Sequence, residues 1–217
     1  MANTGCNPDI LPYIRGVDKH LHITKYTKNF TVTGYDCPTE EIYEGTNDSS
    51  KSFATGLKII AYGGSSLKIE NLRIEAYQVV EEFQKRLAPT LSLEKERLKL
   101  FLIPFMRPLT CGQKFKIIYR DFWPNCMRYG VDAIIYSEPL LYERSIEQIE
   151  SRITFDVDVV FIRAYSYDLD SNRWELDEDQ PRAVSDSRSY VWTKSHPSCC
   201  KIYLIVFDRP ANHVITR

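Results

Sequence analysis

Apolar and polar residues alternate with a period of two along most of the chain beyond Leu57, and that period predicts strands. "GLKIIAY" reads as one strand, closed by the turn signal Gly63-Gly64. In "SLKIENLRIEAY", Leu67 and Ile69 alternate with Lys68 and Glu70, then Leu72, Ile74 and Ala76 alternate with Arg73, Glu75 and Tyr77. The slip at Asn71 predicts a β-bulge, since otherwise the side chains would change faces. "QKFKIIYRDFW" sets Phe115, Ile117 and Tyr119 against Lys114, Lys116 and Arg120. "SRITFDVDVVFIRAY" shows the cleanest alternation. It predicts a single strand with Ile153, Phe155, Val157, Val159 and Phe161 on a buried face and Arg152, Thr154, Asp156 and Asp158 on a wet one.

"SRSYVWT" and "CKIYLIVF" add two more strands; in the second, Cys200, Ile202, Leu204 and Val206 are expected to form the buried face. Helical spacing occurs in "VVEEFQKRLAP", where Val79, Val80, Phe83 and Leu87 predict a short helix stopped by Pro89. "ERSIEQIES" predicts a helical turn. Up to about Thr55 the chain is rich in Asn, Thr, Gly and Asp, and only "LHITKYT" and "NFTVTGY" look like short strands.

Many strands and few helices argue against a parallel α/β fold, which needs a helix-sized crossover between successive strands. The expected fold is mainly β: an antiparallel two-layer β-sandwich, immunoglobulin-like or related, with one or two short helices. The expected organisation is an irregular N-terminal arm over 1–55, a sandwich core over 56–210 and a tail over 211–217.

Composition changes this picture little. The chain has 217 residues, 43% hydrophobic and 26% charged, with a formal net charge of −1. That balance suits a cored protein and gives no overall pull toward nucleic acid or an anionic membrane. No apolar run reaches the length of about 18 residues that predicts a membrane span. The start of the chain lacks a basic n-region followed by an apolar stretch, so the expected location is cytoplasmic. There the cysteines, which form no CxxC pair, are expected to be free thiols.

Candidate chemistry is sparse. His20, His22, His196 and Cys199 offer the imidazole and thiolate ligands that zinc accepts, provided the two ends of the chain meet. Cysteine as a small buried hydrophobe explains the same letters more simply. "YDLDSNRWELDED" places Asp168, Asp170 and Asn172 at calcium-loop spacing, but Arg173 stands where such a loop needs glycine. A hairpin with Tyr167 paired to Trp174 accounts for that stretch. "KFKIIYRDFWPNCMRYG" interleaves cations with aromatics, yet alternation separates them onto opposite faces, which disfavours a nucleic-acid platform. Phosphate loops, nucleophile elbows and HExxH pairs are absent.

The expected function is therefore a non-catalytic protein-binding or adaptor module in a larger intracellular assembly. Its candidate contact residues are Trp123, Tyr129, Tyr142 and Trp174, of types enriched at hot spots, with the acidic Asp177 and Glu178. The alternative is a zinc-dependent enzyme, or a small-ligand sensor built from end-loop aromatics.

Overall fold

The computed structural model describes residues 20–62, 69–95, 98–136 and 145–210. The protein is nearly all β. Its first strands are β1 (Leu21–Val32), β2 (Cys37–Asn47), β3 (Ala54–Tyr62), β4 (Glu75–Val80), β5 (Phe83–Leu87), β6 (Thr90–Lys95), β7 (Leu98–Leu109) and β8 (Lys114–Trp123). They are followed by β9 (Gly130–Tyr136), β10 (Ser145–Ile146), β11 (Gln148–Phe155), β12 (Phe161–Asp168), β13 (Arg173–Leu176), β14 (Arg182–Ala183), β15 (Ser189–Ser195) and β16 (Lys201–Arg209).

A large sheet runs β14-β15-β11-β1-β2-β8-β4-β5, with β10 also on β1. Most pairs are antiparallel, but β1 pairs in parallel with β10 and β11, so this sheet is mixed. Two smaller sheets, β13-β12-β16-β9 and β3-β7-β6, are packed on it to give a two-layer sandwich. Aromatic contacts join the layers. Trp192 of β15 lies 5.2 Å from Tyr136 and 5.8 Å from Tyr203, and Phe155 of β11 lies 4.9 Å from Phe207. Under the other half, Phe101 and Phe105 of β7 meet Tyr119 and Phe115 of β8.

The N-terminal segment differs from the irregular arm expected. It carries β1 and β2, two long strands at the middle of the large sheet. Their many polar residues are explained by the sheet's outer face, where cross-strand charges pair: Glu40 with Arg120 at 2.8 Å, Glu44 with Lys116 at 3.1 Å and Lys25 with Glu150 at 2.8 Å. Gly45 is needed because β1 is bulged between Ile23 and Lys25 and runs close. A Cβ on Gly45 would lie 2.1 Å from the His22 carbonyl oxygen.

Four local expectations are corrected. Residues 79–87 form the β4–β5 hairpin rather than a helix, turning at Glu81 with φ 57°. The apolar spacing that reads as helical arises because Val80 sits opposite Phe83 and Ala76 opposite Leu87. The phase slip at Asn71 is taken up by a 3-10 turn over Ile69–Leu72 and by Arg73 at φ 46°, not by a bulge; Leu67 lies outside the described residues. "ERSIEQIES" contributes Ser145–Ile146 and the start of β11, which pair in turn along β1 on either side of its bulge.

Finally, the strand expected over 152–161 stops at Phe155, and the chain crosses to the second sheet before restarting at Phe161. Ile153, Phe155 and Val157 are buried as expected, whereas Phe161 is exposed. By contrast Phe115, Ile117 and Tyr119 of β8 occupy the buried face their alternation predicts.

Candidate functional site

The sheet β13-β12-β16-β9 has two apolar faces. Its inner face carries Ala164 and Ser166 of β12, Tyr203, Ile205 and Phe207 of β16, and Ile134 and Tyr136 of β9, all buried. This is the opposite parity to the one expected for β16. Ile202, Leu204 and Val206 point outward and are half-buried, and Cys200 precedes the strand. The Tyr203 and Phe207 rings go inward, where they pack against Trp192 and Phe155 of the facing layer.

Register then assembles the outer face. Directly paired residues of neighbouring strands share a side. One row runs Leu176, Tyr165, Leu204 and Ile135 across all four strands; the next places Trp174 beside Tyr167 and Ile202. Trp174 is 49% exposed, Leu176 57% and Ile135 44%. A wet sheet face ordinarily carries polar residues at these positions. Polar groups on this side, Arg163 and Asp208, stand toward one end of it, whereas Asp168 and Lys201, 3.8 Å apart, close the strands on the inner-face parity. An apolar centre with a charged rim is the anatomy of a protein interface.

The sequence-based candidates are dispersed. Trp174 lies on this face, its ring 4.9 Å from that of Tyr167, in the hairpin expected. Trp123 is half-buried and packs against the core. Tyr129 meets Tyr35 edge-on at 5.3 Å and lies beneath the Arg209 guanidinium at 4.8 Å. Tyr142 is outside the described residues. Asp177 is buried and engaged internally, accepting a bond from Lys194 at 2.9 Å; Glu178 is exposed. Burial opposes the charge on Lys194, but its bonds to Asp177 and Asp179 outweigh that and hold its pKa above the ordinary value.

Of the residues grouped as possible zinc ligands, His22 and His196 both touch Glu147, while His20 and Cys199 have separate surroundings. The His22 ring bridges Ser145 Oγ at 2.5 Å and Glu147 Oε1 at 2.7 Å. His196 touches the same Glu147, through its backbone N–H and the Glu147 carbonyl. His20 contributes a backbone carbonyl to Asp48. Cys199 is exposed in the β15–β16 loop beside Cys200, whose thiol is pushed up by its hydrogen bond to Cys199. Among the described residues no three His, Cys, Asp or Glu side chains gather to hold a metal ion. Nor does any helix among them have the length and apolarity to cross a membrane.

The residues that sequence reasoning missed are Leu176, Tyr165, Leu204 and Ile135. The available signal was that β16 is apolar at both parities, so one apolar set had to face away from the core.

No protein-family model matches the sequence, and no curated protein matches it. Solved structures resemble this chain, the first of them in fold. One is described as a putative protease from Parabacteroides distasonis, 11% identical, with a TM-score of 0.58 over 88% of this chain and 41% of that one. Another is an M1 zinc metallopeptidase from Deinococcus radiodurans, 12% identical, with a TM-score of 0.47 over 86% of this chain and 42% of that one. The chain thus spans about two fifths of the length of these proteins. At such identities the likeness is one of fold.

Proposed function

We propose that the chain is a non-catalytic protein-binding module, working in a larger intracellular assembly, that docks another folded unit against the outer face of β13-β12-β16-β9. The observation that carries this reading is the row Leu176–Tyr165–Leu204–Ile135, apolar across four strands and uncovered at both ends. Exposed apolar sheet faces of this extent mark contact surfaces in soluble proteins. The fold's occurrence as two fifths of a longer chain described as a protease supports the same role, a module beside other folded parts. The partner it fits is a protein surface that is apolar at its centre and charged at one margin, matching Trp174, Leu176 and Ile135 beside Arg163 and Asp208.

Capture from the native host with the wild-type chain and with a Leu176→Lys, Ile135→Lys variant tests it. Both positions are exposed, so the variant keeps its fold. The reading requires a stoichiometric protein retained by the wild type and lost by the variant. Equal retention by both, or a lone chain carrying stoichiometric zinc that disappears with His22→Ala, overturns it.

A further inference from the structure

The inner face of the β4–β5 hairpin extends past the sheet that covers it. Ala76 and its partner Leu87 lie within the packed layer and Gln78 is still buried, but its partner Lys85 and the next pair, Val80–Phe83, on the same side, are exposed. There the β7–β8 hairpin closes the second wall of a cleft of about 640 Å³. The Gln78 side chain, buried at its base, joins the walls by accepting the Met106 backbone N–H at 2.9 Å.

Two features of the cleft point to a ligand. Its apolar lining is Val80, Met106, Pro108 and Leu109, of which Val80 and Met106 are exposed, and Phe83, opposite Val80, is 69% exposed. Its charges have one sign. Lys85, Arg107 and Lys114 line it, and no carboxylate does. The charged residues elsewhere on the large sheet are largely paired across strands, so three lining cations without a lining acid form a local positive field on a chain of net charge −1. Gln78, Thr110 and Gln113 add amide and hydroxyl groups able to bond a peptide backbone.

We infer that this cleft binds an acidic peptide segment, seating an apolar side chain against Val80 and Met106 and pairing flanking carboxylates with Lys85, Arg107 and Lys114. The site is separate from the outer face of the four-stranded sheet and stands or falls independently of it. Phe83 stands opposite Val80 but is not among the lining residues, so within the cleft a nucleic-acid strand would rest on the cations. The peptide uses both the cations and the apolar floor.

The test is selection of random eight-residue peptides, displayed on phage, against the full chain and against a Lys85→Glu, Arg107→Glu variant. All the substituted side chains are exposed, and circular dichroism checks that the fold is intact. The expected result is enrichment of peptides that combine an apolar residue with flanking Asp or Glu. Their affinity, read by fluorescence polarisation, falls by about tenfold or more in the variant and also in Met106→Ser, and weakens with added salt. Failure to enrich any peptide, or enrichment of neutral or basic ones, overturns the proposal. So does tight binding of a single-stranded oligonucleotide that is indifferent to Met106→Ser, which would make the cleft a polyanion contact.

Discussion

The Trp174 ring lies 4.9 Å from that of Tyr167, directly across the β12–β13 pairing, and its other side meets solvent. The contact stiffens the hairpin, but the indole is covered on one side only. Trp174→Ala is therefore expected to cost about 1 kcal/mol of stability, while weakening partner capture far more. Thermal unfolding beside a binding measurement separates the two, and a large stability loss would show that Trp174 is a core residue.

Phe155 and Asp156 are adjacent yet serve different purposes. Phe155 is buried against Phe207, so Phe155→Ala is expected to cost about 3–5 kcal/mol. The Asp156 carboxylate accepts the Gly34 N–H at 2.7 Å and stands 3.7 Å from the buried guanidinium of Arg209. Strict alternation makes Asp156 a solvent-facing residue of little consequence. Because the strand ends at Phe155, Asp156 instead ties β16 to the β1–β2 turn, and Asp156→Ala is expected to cost about 1–3 kcal/mol. Urea unfolding of both variants checks the pair.

Asp121 supplies a pH dependence. Burial, then the nearby Glu41 carboxylate, push its pKa up to about 7 against the pull of Lys28, and its Oδ1 lacks a hydrogen-bond partner. In the unfolded chain an aspartate titrates near 3.9. Between these values the folded protein keeps a proton that the unfolded chain has released, so this residue's contribution falls as pH rises from about 4 to about 7. Asp121→Asn removes that slope. Relative to wild type it should gain stability between about pH 4 and about pH 7, by an amount of the order of a few kcal/mol, and level off above. A difference that stays constant with pH would contradict the assignment.

Gly45→Ala is expected to be severely destabilising, by about 2 kcal/mol or more, because its Cβ meets backbone rather than a side chain able to move. Chemical denaturation reads this directly. A neutral result would mean that β1 and β2 separate at the bulge.

The sheet content of this fold is legible in the sequence because half-buried strands advertise themselves, as β8 does with Phe115, Ile117 and Tyr119. Two kinds of strand do not. β1 reads as two short strands and β2 goes unread, because their outer residues are charges whose partners, Lys116, Arg120 and Glu150, lie 70 or more positions away in sequence. β16 reads as buried on the wrong face because Ile202, Leu204 and Val206 are as apolar as Tyr203, Ile205 and Phe207. Only the rings waiting on the facing layer decide which set turns inward. The candidate site follows from that choice, and for this reason only Trp174 of its members was visible beforehand. The helix expected at Val79–Leu87 fails similarly: a tight hairpin and a helical turn both bring residues three or four apart onto one side.

The most direct test of the docking face is capture from the native host with the wild-type chain and the Leu176→Lys, Ile135→Lys variant, each paired with sedimentation of the purified protein. The account predicts a stoichiometric protein partner held by the wild type and released by the variant, with both chains monodisperse and equally folded. A partner retained undiminished by the variant would contradict it.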